Sequence, residues 1–369
     1  MSKTSLYSTF TSVDKASWIA QIQTELKDID IDSFKIKMDD HWEVSPFMHA
    51  HDIEKTTSIG GQKEQLKWKI LEQFDYSAED HELIMLALKG GCESLMFQLG
   101  QVPELPFEKV LKGVFPEMVE FHFESKKMEP LKSNVEHFSR WLVGQEMNLK
   151  EIQGSFRIEN PHQHLISVEA IIDHNSFVNS IFPKMNSVCW NIQLPAEKDG
   201  LTQPLIGFFK GIVEYLQNIR SLDALQSILK RSVLKVEIGP NYLMEITRLR
   251  ALRILWKNIL LANGINNEEA NIEAHFASNH YQEEAEKNMI IASTMAMSAL
   301  VGGADSVCIL PADGNPRSRD IHKRRIARNI HHLLRSEAHL EKHVDPVQGA
   351  YFFEYVAQRI VEEVWAKII

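Results

Sequence analysis

Long apolar runs are missing from this chain of 369 residues, and so is any excess of positive charge. No stretch approaches the roughly 20 consecutive apolar residues that a bilayer-crossing helix needs, so no membrane span is expected. The N-terminal MSKTSLYSTFTSVDKASW has no apolar h-region, which argues against a secretory signal. The formal net charge of −10 offers no global attraction to nucleic acid or to an anionic membrane surface. Cysteine is scarce: the three, Cys92, Cys189 and Cys308, are odd in number and lack CxxC spacing, so neither a disulfide framework nor a zinc site is expected. Cys189 and Cys308 stand inside apolar strand-like runs, where a thiol behaves as a small hydrophobe. No HExxH, Gly-containing DxD or Cys/His cluster marks a metal site. The expectation is a soluble cytoplasmic protein with no nucleic-acid or membrane partner.

What is present is an ordinary globular composition, 44% hydrophobic and 24% charged, sufficient for one large domain or two small ones. The leader, residues 1–65, holds an amphipathic helix in KASWIAQIQTELKDI, with Trp18, Ile19, Ile22 and Leu26 at helical spacing. A strand-like FKIKM and an extended WEVSPFM follow, so it reads as an arm for subunit contacts. From residue 66 a strand–helix rhythm sets in: LKWKILEQF, SLMFQLG, EMVEFHFE, GSFRIEN, SVCWNIQ, LKVEIG, NIEAHFA and DSVCIL read as strands. Helical patterns separate most of them, Ser77 is a plausible N-cap for the first helix, and further helices follow at 321–335 and 351–367. Such βα units predict a (β/α)8 barrel over residues 66–369. The competing fold is a doubly wound open sheet, but no GxGxxG follows its first strand.

In a barrel of this type chemistry sits at the C-terminal ends of the strands. Those ends carry Gln73 to Tyr76, Gln98, His122 and Glu124, Arg157 and Glu159, Asn191 and Gln193, Gly239 to Asn241, Glu273 and His275 with Asn279 to Tyr281, and Pro311. His275, in an alternating strand, is suited either to general acid–base work or to a hydrogen-bonded place in the barrel wall. His122 and Glu124 share one strand face and read as an imidazole–carboxylate pair or as polar interior residues. RDIHKRRIARNIHHLLR is a basic helix that either faces a phosphate-bearing substrate or packs on the barrel. His331, His332 and His339 read as solvated helix histidines, and the Met-rich NMIIASTMAMSALVGG as a packed barrel helix.

The second half resembles the methylmalonyl-CoA mutase family. YLMEITRLRALRILWKNIL is similar to its FFMEIAKLRAARxLW helix. STMAMSALVGGADSV is similar to its helix, Gly-Gly and eighth strand. The C-terminal run from Arg324 to Trp365 resembles RIARNTQxxLxxESxxxxxxDPxxGSYYVExLTxxLxxxAW, with Asp345, Pro346, Gly349, Tyr351 and Glu354 in register. The leader is similar to the start of the small, or beta, subunit. The resemblance implies a barrel that holds acyl-CoA along its axis, and a separate C-terminal domain that holds adenosylcobalamin over the top.

The departures point away from catalysis. The family's SGYHMQEAGA loop after strand five supplies a catalytic His, whereas WNIQLPAEKDG stands here without one. The early RGPYxTMY segment has no counterpart. The sequence ends at Ile369 after the barrel's last helices, so a cobalamin domain with its DxHxxG loop is not expected. Arg231 falls where the family has a substrate-contacting Arg, and His275 matches the His of RTHSQTSGW. Glu273 replaces the Arg of that segment and is expected to repel an anionic acyl-CoA.

By resemblance the chain is a non-catalytic small-subunit partner of a mutase large (alpha) subunit, which supplies adenosylcobalamin. Arg231, His275, Asn279 and Tyr281 are its substrate-side candidates, with no catalytic, cofactor or metal residue. Two alternatives remain open: an acyl-CoA mutase barrel served by a separately encoded cobalamin domain, and an acyl-CoA-binding homodimer without turnover.

Overall fold

A computed structural model describes residues 13–27, 29–39, 42–53, 66–74, 80–100, 105–194 and 200–368. Eight parallel strands close into a barrel in the order β10-β3-β4-β5-β6-β7-β8-β9. These are β3 (Lys69–Phe74), β4 (Ser94–Gln98), β5 (Glu120–Ser125), β6 (Gly154–Glu159), β7 (Met185–Ile192), β8 (Ser232–Ile238), β9 (Ile272–Phe276) and β10 (Ser306–Cys308). Closure rests on β10, which pairs with both β9 and β3. The open-sheet alternative is thereby excluded, and the fold is a (β/α)8 barrel.

Side-chain alternation assigns the two faces of each strand. In β5, Phe121 and Phe123 enter the large core with the helices, while Glu120, His122 and Glu124 occupy the other face. In β6, Phe156 and Ile158 join the core, and Ser155 and Arg157 turn inward. The outer face is strongly aromatic on this flank: Phe123 stacks on Phe156 at 4.4 Å, and Phe138 lies 5.1 Å from Phe123. The apolar runs therefore mark the helix-facing side, and the polar residues between them mark the lumen.

The helices are α1 (Lys15–Leu26), α2 (His81–Lys89), α3 (Phe107–Val110), α4 (Met128–Gly144), α5 (Val168–Ile181), α6 (Thr202–Leu216), α7 (Leu222–Lys230), α8 (Tyr242–Ala262), α9 (Ala285–Val301), α10 (Ile321–His332) and α11 (Tyr351–Ile368). Helix α7 is absent from the sequence reading, although Ser221 caps it by accepting from the Ala224 amide. Its nine residues merge in sequence with the end of α6. The expected N-cap Ser77 lies outside the described residues, and α2 begins after Asp80. Among the described residues no helix is long and apolar enough to cross a membrane.

Part of the basic stretch of α10 packs inward, while His322 and Arg325 stay exposed. Arg324 and Arg328 are buried and both reach Glu72 on the outer face of β3, at 3.3 and 2.6 Å. Arg324 also lies over the Phe74 ring at 4.9 Å. His331 is buried and its Nδ1 accepts from Trp68 Nε1; burial pushes its imidazole down to about 3, so it stays neutral. It is therefore a core histidine, not the solvated one expected. His332 bonds the Gly90 carbonyl.

In the leader, β1 (Ile36–Asp39) and β2 (Trp42–Val44) form a hairpin that places Met38 and Val44 in the main core. Helix α1 buries none of its residues. Trp18 meets the edge of Phe47 at 6.2 Å, and Lys15 bonds Asp52 at 2.5 Å.

The C-terminal segment is held by one cation. Arg250 on α8 bonds Asp345 at 2.6 Å and Glu354 at 2.9 Å, with all three side chains almost fully buried. The Gly349 amide donates to the same Glu354 carboxylate from a left-handed backbone, φ +77°. The spacing of Asp345, Gly349 and Glu354 thus follows from one guanidinium serving two acids and from a turn suited to glycine. Arg250→Met should destabilise the protein by about 3–5 kcal/mol, since it removes the cation shared by two buried carboxylates. Urea unfolding monitored by tryptophan fluorescence measures this.

Candidate functional site

The lumen is crossed by ionised side chains. Arg157 on β6 sends both terminal nitrogens to Glu273 on β9, at 2.6 and 2.7 Å, and its Nε to Glu124 on β5 at 2.8 Å. Lys235 on β8 reaches the other oxygen of Glu124 at 2.6 Å, where Gln98 on β4 also donates at 2.6 Å. In the ring order β6 and β9 are separated by two strands, as are β5 and β8. Both links therefore span the barrel. The remaining side is filled by an apolar cluster of Leu71, Met96 and Cys308.

Two carboxylates and two cations make this cluster neutral. Burial opposes ionisation of Glu124, but Lys235 and Arg157 outweigh it and hold the carboxyl well below its usual value. Burial likewise opposes Glu273, and Arg157, followed by the hydrogen bond with His275, holds that carboxyl well below the ordinary range. The expected repulsion of an anion by Glu273 is therefore corrected: its charge is consumed by a bidentate guanidinium.

His275 faces this cluster, its Nε2 3.4 Å from Glu273. Burial lowers its pKa, with Glu273 acting the other way. His122 lies nearby, its Nδ1 3.0 Å from Ser155 Oγ and 3.9 Å from Glu273.

The other sequence candidates do not gather around His275. Arg231 stands just before β8, at the N-terminal end of the barrel, where its guanidinium donates to the carbonyls of Pro183 and Met185 and to Asn179. Asn279 is exposed in a single helical turn after β9. Tyr281 packs beside Gly314, and burial raises its phenol. Of the strand-end residues, Asp75 and Tyr76 lie outside the described residues, as does loop 195–199 after β7.

Two cavities flank the cluster. Below it, about 460 Å³ is lined by residues including Lys67, Lys69, Glu93, Glu120, His122 and Glu273. Above it, about 750 Å³ lies between the β1–β2 hairpin and the ends of β8 and β9, bordered by Lys37, Asn241, Glu245, Asn279 and His280. Among the described residues no three His, Cys, Asp or Glu side chains group as metal ligands.

Sequence reasoning singled out Glu124, Arg157, Glu273 and His275 one strand at a time, and missed Lys235. The available signal was the alternation of charged with apolar residues in strands that carry apolar residues for the helix side. The pairing across the lumen has no local signature.

The fold and the lumen define a (β/α)8 barrel protein whose axis is closed by a neutral ion cluster. The family description "Methylmalonyl-CoA mutase" matches residues 157–369; the chain belongs to the methylmalonyl-CoA mutase family. A methylmalonyl-CoA mutase small subunit of Porphyromonas gingivalis is 27% identical over 98% of this chain and 63% of the relative. One from Streptomyces virginiae is 21% identical over 87% of this chain and 53% of the relative. A methylmalonyl-CoA mutase of Rhizobium meliloti is 32% identical over 36% of this chain and 19% of the relative. The chain thus spans less than two thirds of the length of each of these relatives.

Arg157→Met should cost about 3–5 kcal/mol at pH 7, because it removes the principal partner of the buried Glu273 carboxylate and one of the two cations on Glu124. In the unaltered protein both carboxyls are depressed. Their contribution is complete above the unfolded-state value near 4.3 and is lost as pH falls through the folded values. In the variant the Glu273 carboxyl, without its cation, titrates higher while Glu124 keeps Lys235, so the deficit should shrink between pH 7 and pH 5. Guanidinium unfolding at both pH values checks the size and the sign.

Proposed function

We propose that this chain is the small-subunit-type partner of an adenosylcobalamin-dependent methylmalonyl-CoA mutase. In this reading a large subunit performs the isomerisation of methylmalonyl-CoA and succinyl-CoA. The observation that carries the proposal is Arg157, locked across the barrel axis by Glu124 and Glu273. A thioester tail threaded along that axis would have to displace Arg157 and strand the buried Glu273 carboxylate, a penalty of about 3–5 kcal/mol.

The surroundings add to this. The cavity below the cluster is bordered by the acids Glu93, Glu120 and Glu341 and the cations Lys67, Lys69 and Arg335, with Glu273 neutralised by Arg157 and Asp305 by Arg253. That balance offers no net positive charge to a polyanionic CoA head. Arg231 is committed to backbone carbonyls, and His275 to Glu273. Both are structural residues in this reading, while Asn279 borders the upper mouth and Tyr281 packs beside Gly314 with its hydroxyl toward the Leu310 carbonyl.

At the upper mouth His280 Nε2 lacks a hydrogen-bond partner, but the atom is enclosed by protein. It does not fit as a ligand to a corrin-held cobalt. The cofactor therefore belongs to the large subunit in this reading. Helix α1, with Trp18, Ile19, Ile22 and Leu26 only half-buried, supports a role for the leader in subunit contact. The alternatives, a barrel with a separate cobalamin domain and an acyl-CoA-binding homodimer, both require an open axis.

Size-exclusion chromatography with a cognate large subunit should give a stable heterodimer, and this chain alone with free adenosylcobalamin should show no isomerase turnover. Failure to co-elute, or turnover by the isolated chain, refutes the proposal. Within the heterodimer His275→Gln should change kcat by less than about twofold, whereas loss of a general acid–base group costs about 100-fold or more. Calorimetric titration of the isolated chain with acyl-CoA thioesters should show no saturable binding.

A further inference from the structure

From Asn288 to Val301, helix α9 carries no charged side chain. Its inner face, with Ala292, Met295, Ala296 and Ala299, is buried in the core with the barrel. Its outer face is also apolar: Ile290 is 71% exposed and Met297 37%, with the exposed Thr294 and half-buried Ser293 between them. A surface helix ordinarily turns charged or polar residues outward, and one that is apolar all round is buried all round. Residues seven apart share one stripe of a helix, so Ile290 and Met297 belong to a single uncharged strip. A contiguous strip of this kind marks a contact surface, whereas scattered apolar residues do not.

Helix α9 packs between α8 and α10, and neither covers this strip. The described part of the leader lies elsewhere on the ring, on α11, where Trp42 meets Arg359 and His49 meets Tyr351. Helix α10 and the turn after it continue the surface. His322, Arg325, Asn329 and Leu333 are exposed at helical spacing, and the exposed Glu337 follows one turn on. Arg325 bonds His322 Nδ1 at 3.1 Å but no carboxylate, and Glu337 has no cation partner, among the described residues. The face therefore offers an apolar strip, an unpaired cation at one end and an unpaired acid at the other.

That arrangement is complementary to itself. We propose that the α9–α10 face is a two-fold contact between copies of this chain. A two-fold axis perpendicular to the helices, crossing α9 between Ser293 and Thr294 and α10 at Asn329, lays each helix antiparallel to its own copy. It sets Ile290 opposite Met297 of the second copy, and Arg325 opposite Leu333 with Glu337 one turn beyond. Both crossing points lie roughly two turns into their helices, so one axis serves both. Uncharged residues stand at the axis, with the large apolar and charged ones on either side, as an isologous contact requires. A face about 25 Å long and 20 Å wide covers about 500 Å² per copy, below the roughly 800 Å² of a standard interface, so the dimer is a weak one. The leader takes no part in it, and the contact does not depend on the subunit role proposed above.

Sedimentation equilibrium of the full chain between about 1 and 200 µM should show a monomer–dimer equilibrium with Kd on the order of 10 µM. Ile290→Glu, at a position the fold leaves exposed, should weaken the dimer at least about 30-fold while thermal unfolding stays unchanged. Arg325→Glu should weaken it about tenfold, and adding Glu337→Arg should restore it. The three native cysteines are buried, so Asn329→Cys supplies an exposed thiol. On the axis that thiol meets its own copy, and oxidation with diamide should give a disulfide-linked dimer. Leu261→Cys, exposed at the end of α8, should remain monomeric under the same treatment. The cross-link decides the matter if a charge variant fails to fold. A monomer at about 200 µM, a dimer indifferent to Ile290→Glu, no recovery in the double charge variant, or equal cross-linking at Leu261→Cys would each overturn the proposal. So would an Ile290→Glu effect seen only on co-elution with a large subunit, which would assign the face to that subunit.

Discussion

A guanidinium held between two carboxylates in the middle of a closed barrel is the constraint on which this structure turns. A charge of either sign in that position, away from water, is strongly unfavourable unless its partners surround it. Arg157 therefore requires Glu124 and Glu273, and Glu124 draws in Lys235 and Gln98. The members come from β4, β5, β6, β8 and β9, so their contacts are satisfied only when those strands have the observed register. Such clusters add little net stability compared with an apolar filling, but they penalise misregistered pairings heavily. The same cluster fills the axis that would otherwise be a channel.

The outer wall uses buried ions in a related way. Glu72 points to the helix side of β3 and receives Arg324 and Arg328 from α10. Arg250 on α8 gathers Asp345 and Glu354 from the C-terminal segment. In each case one group serves two partners of opposite charge, which ties a late helix to a particular place on the ring. Two of the α10 arginines, Arg324 and Arg328, are thus directed inward to a carboxylate of their own chain, while Arg325 stays exposed.

The elements themselves were largely legible. Phe121 and Phe123, alternating with Glu120, His122 and Glu124, mark a strand whose apolar face meets helices. The same period identifies β6 and β9. Helix α7 was not legible, because its short amphipathic run follows α6 after a brief break and no glycine or proline separates them. The burial of His331 was also hidden: its ring nitrogen serves Trp68, which lies far away in sequence.

The chain's own order of residues determined the strand–helix alternation, the helix-facing side of each strand and the membership in a mutase-like family, because these follow from local periodicity and from motifs that are contiguous. Which charges meet was decided only by tertiary structure. Glu273 looked like a source of repulsion when read beside its neighbours in β9, and it became the neutralised partner of Arg157 once closure brought β6 opposite. Arg231 looked like a ligand for substrate, and folding placed it among backbone carbonyls at the other end of the barrel. Electrostatic character depends on distances of a few ångströms across the lumen, and those distances exist only after the ring has closed.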